Sequence, residues 1–258
     1  MVEGKSCSVP SGTEAYAKLY PDKSSDGQLR LGNVVPDFHA ETTQGPMHWY
    51  EYIEGSWAIL FSHPADFTPV CTTEIGRLAL KYDALKSKGV KLATLSCDKV
   101  DDHTKWMDDV VAHCENNVTI DFPIIGDESR EVSIAYGMLD PSNKDDKGLP
   151  LTCRAVFVIG PDKKLKLMMN YPASVGRNMD EIMRCVEALQ LSAKHSVATP
   201  ANWPNNHESI GKKGWAFLLP TVSPADAQQY FPDHHTCKVP SGVEYLRLSN
   251  IGRETTEE

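Results

Sequence analysis

Apolar and polar positions along this chain follow two alternating rhythms. Trp57-Ala58-Ile59-Leu60-Phe61-Ser62 is a continuous run of strand length and predicts a buried strand, being too short for a helix of its own. Beyond it, Ile75, Leu78, Ala79, Tyr82 and Leu85 recur at helical spacing until Gly89, a residue that accepts the left-handed backbone of a helix stop. The alternation repeats, with Val90 to Leu95 as a strand, residues 102–115 as a helix and Ile120 to Ile125 as another extended run. Arg154 to Ile159 and Lys164 to Met169 flank Gly160-Pro161-Asp162-Lys163, whose composition predicts a β-hairpin. Asn178 is placed to cap a helix with Met179, Ile182, Met183, Val186 and Leu189 on its apolar face. Strands and helices in alternation predict an α/β fold.

The two ends keep neither rhythm. Residues 1–30 show weak periodicity and read as an extension, so that the packed domain begins near Leu31. Thr199-Pro200-Ala201-Asn202-Trp203-Pro204-Asn205-Asn206 reads as a linker into a small second domain. There Ser223-Pro224 is the pattern of an N-cap followed by proline at the first helical position, opening a short helix to about Phe231. The remainder is expected to be irregular apart from a strand at Tyr245 to Leu248. Cys7 to Glu14 and Cys237 to Glu244 share the text C-x-V-P-S-G-x-E. It is chance, an old local duplication, or a device by which the first copy packs at the site that binds the second in a neighbouring subunit.

Composition narrows the function classes. A chain of 258 residues has room for one large domain and one small one. With a formal charge of −9 there is no basic field for a phosphate backbone or an anionic membrane, so no nucleic-acid partner is expected. No apolar run reaches the roughly 18 residues of a membrane span, and the polar Met1-Val2-Glu3-Gly4-Lys5-Ser6 lacks the apolar stretch of a secretory signal. A soluble, cytoplasmic protein without stable membrane insertion is expected. The seven cysteines are odd in number and show neither C-x-x-C pairs nor a metal-ligand spacing. That is the usage of free thiols in a reducing compartment.

One segment brings chemistry together: Ser62-His63-Pro64-Ala65-Asp66-Phe67-Thr68-Pro69-Val70-Cys71-Thr72-Thr73-Glu74. With Thr68 as N-cap and Pro69 as first helical residue, Cys71 falls in the first turn. Unpaired backbone N–H groups and the positive end of the helix dipole stabilise a thiolate there. On local physics alone, Cys71 is either a reactive thiol or an inert one at an ordinary helix start. Cys97, Cys114, Cys153 and Cys185 lie in or beside apolar runs and read as packing residues, whereas Cys7 and Cys237 have polar surroundings.

Pro64-x-x-x-Thr68-x-x-Cys71 resembles the active-site signature of the peroxiredoxins, and the fuller text is similar to their one-Cys, peroxiredoxin 6-like subfamily. The resemblance continues through Gly137 to Asp140, Arg154 to Lys164, Tyr171 to Asn178 and Val197 to Pro200. It implies a thioredoxin-like peroxidase domain with a central mixed sheet over residues 31–195 and a smaller one-Cys C-terminal domain over 196–258. It also implies a homodimer with no cofactor and no metal. By position, Cys71 attacks a hydrogen, organic or lipid peroxide, Thr68 hydrogen-bonds the peroxide oxygen, Pro64 shields the sulfur and Arg154 stabilises thiolate and transition state. The chemistry agrees, because opening an O–O bond needs an anionic sulfur, a donor to the departing oxygen and a fixed positive charge. The same resemblance places His63 beside the sulfur and gives Glu74 the task of holding the arginine. Alternatively His63 only ends the strand and Glu74 only complements the helix dipole.

Attack leaves a sulfenic acid that must be reduced before it oxidises further. The Val-Cys-Pro resolving motif of two-Cys relatives is missing, which implies an external thiol such as glutathione, with a glutathione transferase as a candidate partner. Cys237 is the internal alternative. Some members of the subfamily also carry phospholipase A2 activity, attributed to Ser, His and Asp with the Ser in G-x-S-x-G. Ser56 and Asp162 match by position, but Glu54 and Ala58 replace both glycines, Tyr50 stands at the histidine position, and His48 lies two residues, about 7 Å of strand, away. A redox-dependent chaperone is a further alternative, while the absence of C-x-x-C argues against a general disulfide oxidoreductase.

Overall fold

The computed structural model describes residues 29–114, 117–206 and 213–251. Of the expected N-terminal extension only Leu29 and Arg30 fall among them, and the first C-x-V-P-S-G-x-E copy lies outside. By its internal contacts the chain divides into two units, Met1–Arg177 and Asn178–Glu258.

The first unit runs through β1 (His39–Thr42), β2 (Gly45–His48), α1 (Trp49–Tyr52), β3 (Trp57–Ser62), α2 (Pro69–Ser87), β4 (Val90–Ser96) and α3 (Val100–His113). It continues with β5 (Ile124–Gly126), α4 (Glu131–Ala135), β6 (Leu139–Lys144), β7 (Pro150–Thr152), β8 (Arg154–Ile159) and β9 (Leu165–Tyr171). Seven of these strands form a sheet in the order β2-β1-β5-β4-β3-β8-β9, and β6 pairs with β7 apart from it. β3, β4 and β5 run parallel, joined by the crossover helices α2 and α3 that parallel pairing requires. β8 lies antiparallel to both β3 and β9, so the sheet is mixed as expected.

Every residue of β8 is buried, as are all of β3 after Trp57, and this explains why both read as unbroken apolar runs rather than as alternation. Ala58, Leu60, Ala93, Leu95, Ala155, Phe157 and Ile159, two apart on their strands, build one core layer with Trp49, Ile53 and Tyr136. α2 packs on β4 and α3. Gly89, expected as the stop of α2, has φ +68°. The extended run expected from Ile120 is a strand only from Ile124, because Pro123 stands directly before it.

The second unit contains α5 (Met179–Lys194), β10 (Val197–Ala198), β11 (Ala216–Leu218), α6 (Pro224–Tyr230), β12 (His235–Thr236) and β13 (Arg247–Ser249). Both predicted caps are made: the Asn178 side chain accepts from the amides of Asp180 and Glu181, and Ser223 accepts from that of Asp226. The expectation of an irregular remainder with one strand is corrected, since β10-β11-β13-β12 is a four-stranded sheet over Val197, Ala216, Leu218, Val222, Ala227 and Ile251. Its two- and three-residue strands are too short for any periodicity to register. The stretch read as a linker is also packed rather than free. Trp203 and Asn206 are buried, Trp203 Nε1 donates to the Gly214 carbonyl, and Asn206 bonds both Gly214 and Trp215.

Candidate active site

The segment between β3 and α2 is pinned from several sides before it reaches the cysteine. Ser62 Oγ donates to the Cys153 carbonyl at 2.7 Å and accepts from the Ala155 amide, which ties the end of β3 to β8. Thr152 Oγ1 donates to the His63 carbonyl at 2.6 Å, and the Asp66 amide donates to Asp98. Pro64 is buried in this turn. Phe67 takes the left-handed backbone (φ +52°), uncommon for an aromatic residue, and the chain then turns into α2. Thr68 holds the N-cap position with extended backbone and Pro69 opens the helix, so Cys71 lies in the first turn and is fully buried. One expectation is corrected: the Thr68 side chain does not cap. Its hydroxyl donates to the Ala65 carbonyl at 2.9 Å, which fixes the rotor and turns the oxygen lone pairs away from that bond.

Over the sulfur stands a buried pair of arginines with one carboxylate between them. Arg154 enters from the start of β8, and its Nη1 lies 3.3 Å from Cys71 Sγ and 2.9 Å from Glu74 Oε2. Its Nε and Nη2 both donate to the Ala173 carbonyl, so the guanidinium plane is fixed. Arg177 grips Glu74 three times, through its amide at 2.7 Å, Nε at 3.0 Å and Nη2 at 2.8 Å. Its remaining Nη1 donates to the Ala155 carbonyl, and the group lies over the Phe61 ring. Cys71 and Glu74 stand three residues apart on α2, which puts them on one face. Burial alone pushes the Glu74 carboxyl up, but the hydrogen bonds and charge of Arg177, with the charge of Arg154, hold it below the usual carboxylate range. Two guanidinium groups against one carboxylate leave a net positive charge beside the sulfur, the arrangement that stabilises negative charge developing on a reacting oxygen.

His63 is buried and its Nε2 lies 2.9 Å from Asp66 Oδ1; Asp66 Oδ2 lies 2.6 Å from Nδ1 of His103, which is also buried. Arg177, Asp66 and His103 were not singled out from the sequence. Arg177 and Asp66 stood inside the motif text and could have been weighed there, whereas nothing local marks His103 in an ordinary amphipathic helix.

The residues that match the lipase positions lie on other attachments. Ser56 Oγ donates weakly to the Glu54 carbonyl at 3.4 Å, Asp162 pairs with Lys166, and the Tyr50 hydroxyl donates to the Val35 carbonyl. The His48 ring sits between Asp37 and Glu51, and these hydrogen bonds, that of Asp37 first, raise its pKa above the ordinary histidine value. None of these bonds joins two of the four residues. Six cysteines among the described residues are free thiols.

Residues 31–168 match the AhpC/TSA family, and residues 188–231 match the C-terminal domain of 1-Cys peroxiredoxin. The chain belongs to the AhpC/TSA family as a one-Cys peroxiredoxin, a thiol peroxidase on a thioredoxin-like fold. Among individual proteins it is similar to human peroxiredoxin-6, with 49% identity over 226 residues that cover 86% of this chain and 98% of the human one. The crystal structure of a cysteine-to-serine mutant of peroxiredoxin 6 from Arenicola marina superposes with a TM-score of 0.80 at 45% identity, covering 88% of this chain and 100% of that one. A yeast mitochondrial 1-Cys peroxiredoxin, studied for thiol resolution by glutathione and thioredoxin systems, matches with a TM-score of 0.73 at 37% identity over 86% of this chain and 99% of its own.

Proposed function

We propose that Cys71 is the residue that attacks peroxide, and that hydrogen peroxide and organic or lipid hydroperoxides are its substrates. The observation that carries this reading is Arg154 Nη1, which lies within 3.3 Å of Cys71 Sγ while Glu74 holds the same nitrogen at 2.9 Å. The thiolate attacks the terminal peroxide oxygen; the S–O bond forms as the O–O bond breaks, and the departing alkoxide or hydroxide leaves as alcohol or water once protonated. Arg154 steadies both the sulfur anion and the charge that develops on the oxygens. Thr68, its proton engaged by Ala65, offers a lone pair to the peroxide O–H and so orients it. Pro64 closes the site against water. Glu74 supports the arginine, and Nδ1 of His63, which has no hydrogen-bond partner among the described residues, is an acceptor for a reacting O–H.

The sulfenic acid condenses with an external thiol to a mixed disulfide and water, and a second thiol releases Cys71. Glutathione, presented by a glutathione transferase, is the reductant we assign, in keeping with the systems named for the yeast relative. Free cysteines without a disulfide among the described residues support a reducing, cytoplasmic setting. The working unit is a homodimer. Of the two sheet edges, β2 has four residues and β9 has seven, and β9 carries the half-exposed Met168, so β9 is the edge left for a second copy.

Rapid mixing of wild type, Cys71→Ser and Arg154→Gln with hydrogen peroxide and a lipid hydroperoxide tests the assignment. Cys71→Ser abolishes turnover and Arg154→Gln slows it by about 10²-fold, the scale for losing one preorganised donor. Equal rates in wild type and Cys71→Ser would overturn it.

A further inference from the structure

The proposed mechanism gives His63 a task but leaves idle two buried groups behind it: Asp66 on the loop before α2, bonded to His63, and His103 on α3, bonded in turn to Asp66. Counting protons through this cluster defines its state. His103 Nε2 lies 3.0 Å from the Ile125 carbonyl oxygen, which can only accept, so Nε2 carries a proton. The 2.6 Å contact between His103 Nδ1 and Asp66 Oδ2 holds one proton more. Asp66 Oδ1 is then an acceptor, and the group facing it at 2.9 Å, His63 Nε2, must be the donor. Burial pushes the Asp66 carboxyl up, yet the bonds from His103 and then His63 hold it below the usual range, in line with an accepting carboxylate. In the neutral ring with Nε2 protonated, His63 Nδ1 is a bare lone pair, and that atom is buried and without a hydrogen-bond partner among the described residues.

Buried polar atoms are nearly always paired, so an orphan of this kind asks for a partner that arrives later. Chain and packing tie His63 to the segment that carries Cys71. Its carbonyl is held by Thr152, Pro64 follows it, and its ring lies 5.2 Å from that of Trp106, whose Nε1 donates to Thr72 beside Cys71.

We propose that His103 is a positioning residue of the peroxidase: through Asp66 it fixes the ring plane and tautomer of His63, so that Nδ1 is always presented as an acceptor to the O–H of the reacting oxygens. The inference rests on Cys71 being the peroxidatic residue. Nothing in the sequence around His103 announces this, since the link is made by tertiary contact between a loop and a helix.

The test compares wild type, His103→Leu, His103→Asn and Cys71→Ser in rapid mixing with hydrogen peroxide, together with ¹⁵N spectra of the histidine rings. Asn places an N–H₂ near the position of His Nδ1 and keeps a donor for Asp66, whereas Leu removes it. His103→Leu is expected to lower the rate constant for Cys71 oxidation by about tenfold, the scale for losing an outer partner of a positioned histidine. His103→Asn should recover most of that loss. The wild-type spectrum should show His63 protonated at Nε2 and bare at Nδ1, and His103→Leu should show mixed tautomers. A folded His103→Leu protein with the wild-type rate would overturn the inference. So would a wild-type His63 protonated at Nδ1, a reading that stands even where His103→Leu does not fold. Wild type reacting no faster than Cys71→Ser would instead remove the peroxidase reading itself.

Discussion

Around the sulfur, charge balance decides both chemistry and stability. Glu74 is a buried carboxylate satisfied by two buried guanidinium groups, and removing one partner of such a network costs about 3–5 kcal/mol because the others remain buried. Since the folded Glu74 carboxyl titrates below the unfolded one, its contribution is complete above the ordinary carboxylate range. It is lost as pH falls through that range to the lower folded value. We therefore predict that wild type loses more stability than Glu74→Gln between pH 7 and pH 3, read from urea midpoints; parallel loss in the two proteins would refute the network's role. Much at this scale is legible in sequence because Pro64, Thr68, Cys71 and Glu74 lie in one run whose helical spacing puts sulfur and carboxylate on one face. Arg177 and Asp66 stood in the motif text without their partners being visible there, and His103 was not legible at all, because it gains meaning only when separate segments meet. The hydroxyl of Thr68 was misjudged for a related reason: the residue occupies the N-cap, but a competing local carbonyl, that of Ala65, takes its proton.

At the scale of elements, the long ones carried their own signals. β3, β4, β8 and β9 are six or seven residues each, and α2 and α5 have sixteen or more, enough for a run or a periodic face to stand out. The caps at Asn178 and Ser223 were legible because capping is local chemistry. Of the short strands, β13 was met in part by the strand expected at Tyr245 to Leu248, whereas β10 to β12 were not legible, since each is defined by its neighbour rather than by its own pattern. The same locality makes the Ser223 cap a clean test of the second unit. Ser223→Ala loses the bond to the Asp226 amide and should destabilise that unit by about 1 kcal/mol, measured as a lower unfolding midpoint, with the peroxidase rate unchanged. An unchanged midpoint would show that the cap contributes nothing.

For the whole molecule, composition excluded partners more surely than it named them. The net charge of −9 argued against nucleic acid, and among the described residues no helix is long and apolar enough to cross a membrane. The resemblance implied a homodimer but not its surface, because the edge strand is known only once the order β3-β8-β9 is known. If a second copy pairs at β9, placing a charge on its half-exposed Met168 should weaken the dimer. Sedimentation velocity at micromolar concentration should show wild type as a dimer and Met168→Asp shifted toward monomer; a dimer unmoved by the substitution would exclude that edge.

The central claim is that one thiol, Cys71, meets the peroxide and that no second cysteine of the chain resolves it. One equivalent of hydrogen peroxide added to reduced protein with a sulfenic-acid trap, followed by peptide mass mapping, tests this most directly. The account predicts the trapped adduct on Cys71 and on no other cysteine. A Cys71–Cys237 disulfide formed before any external thiol is added, or peroxide consumed while Cys71 stays a thiol, would contradict it.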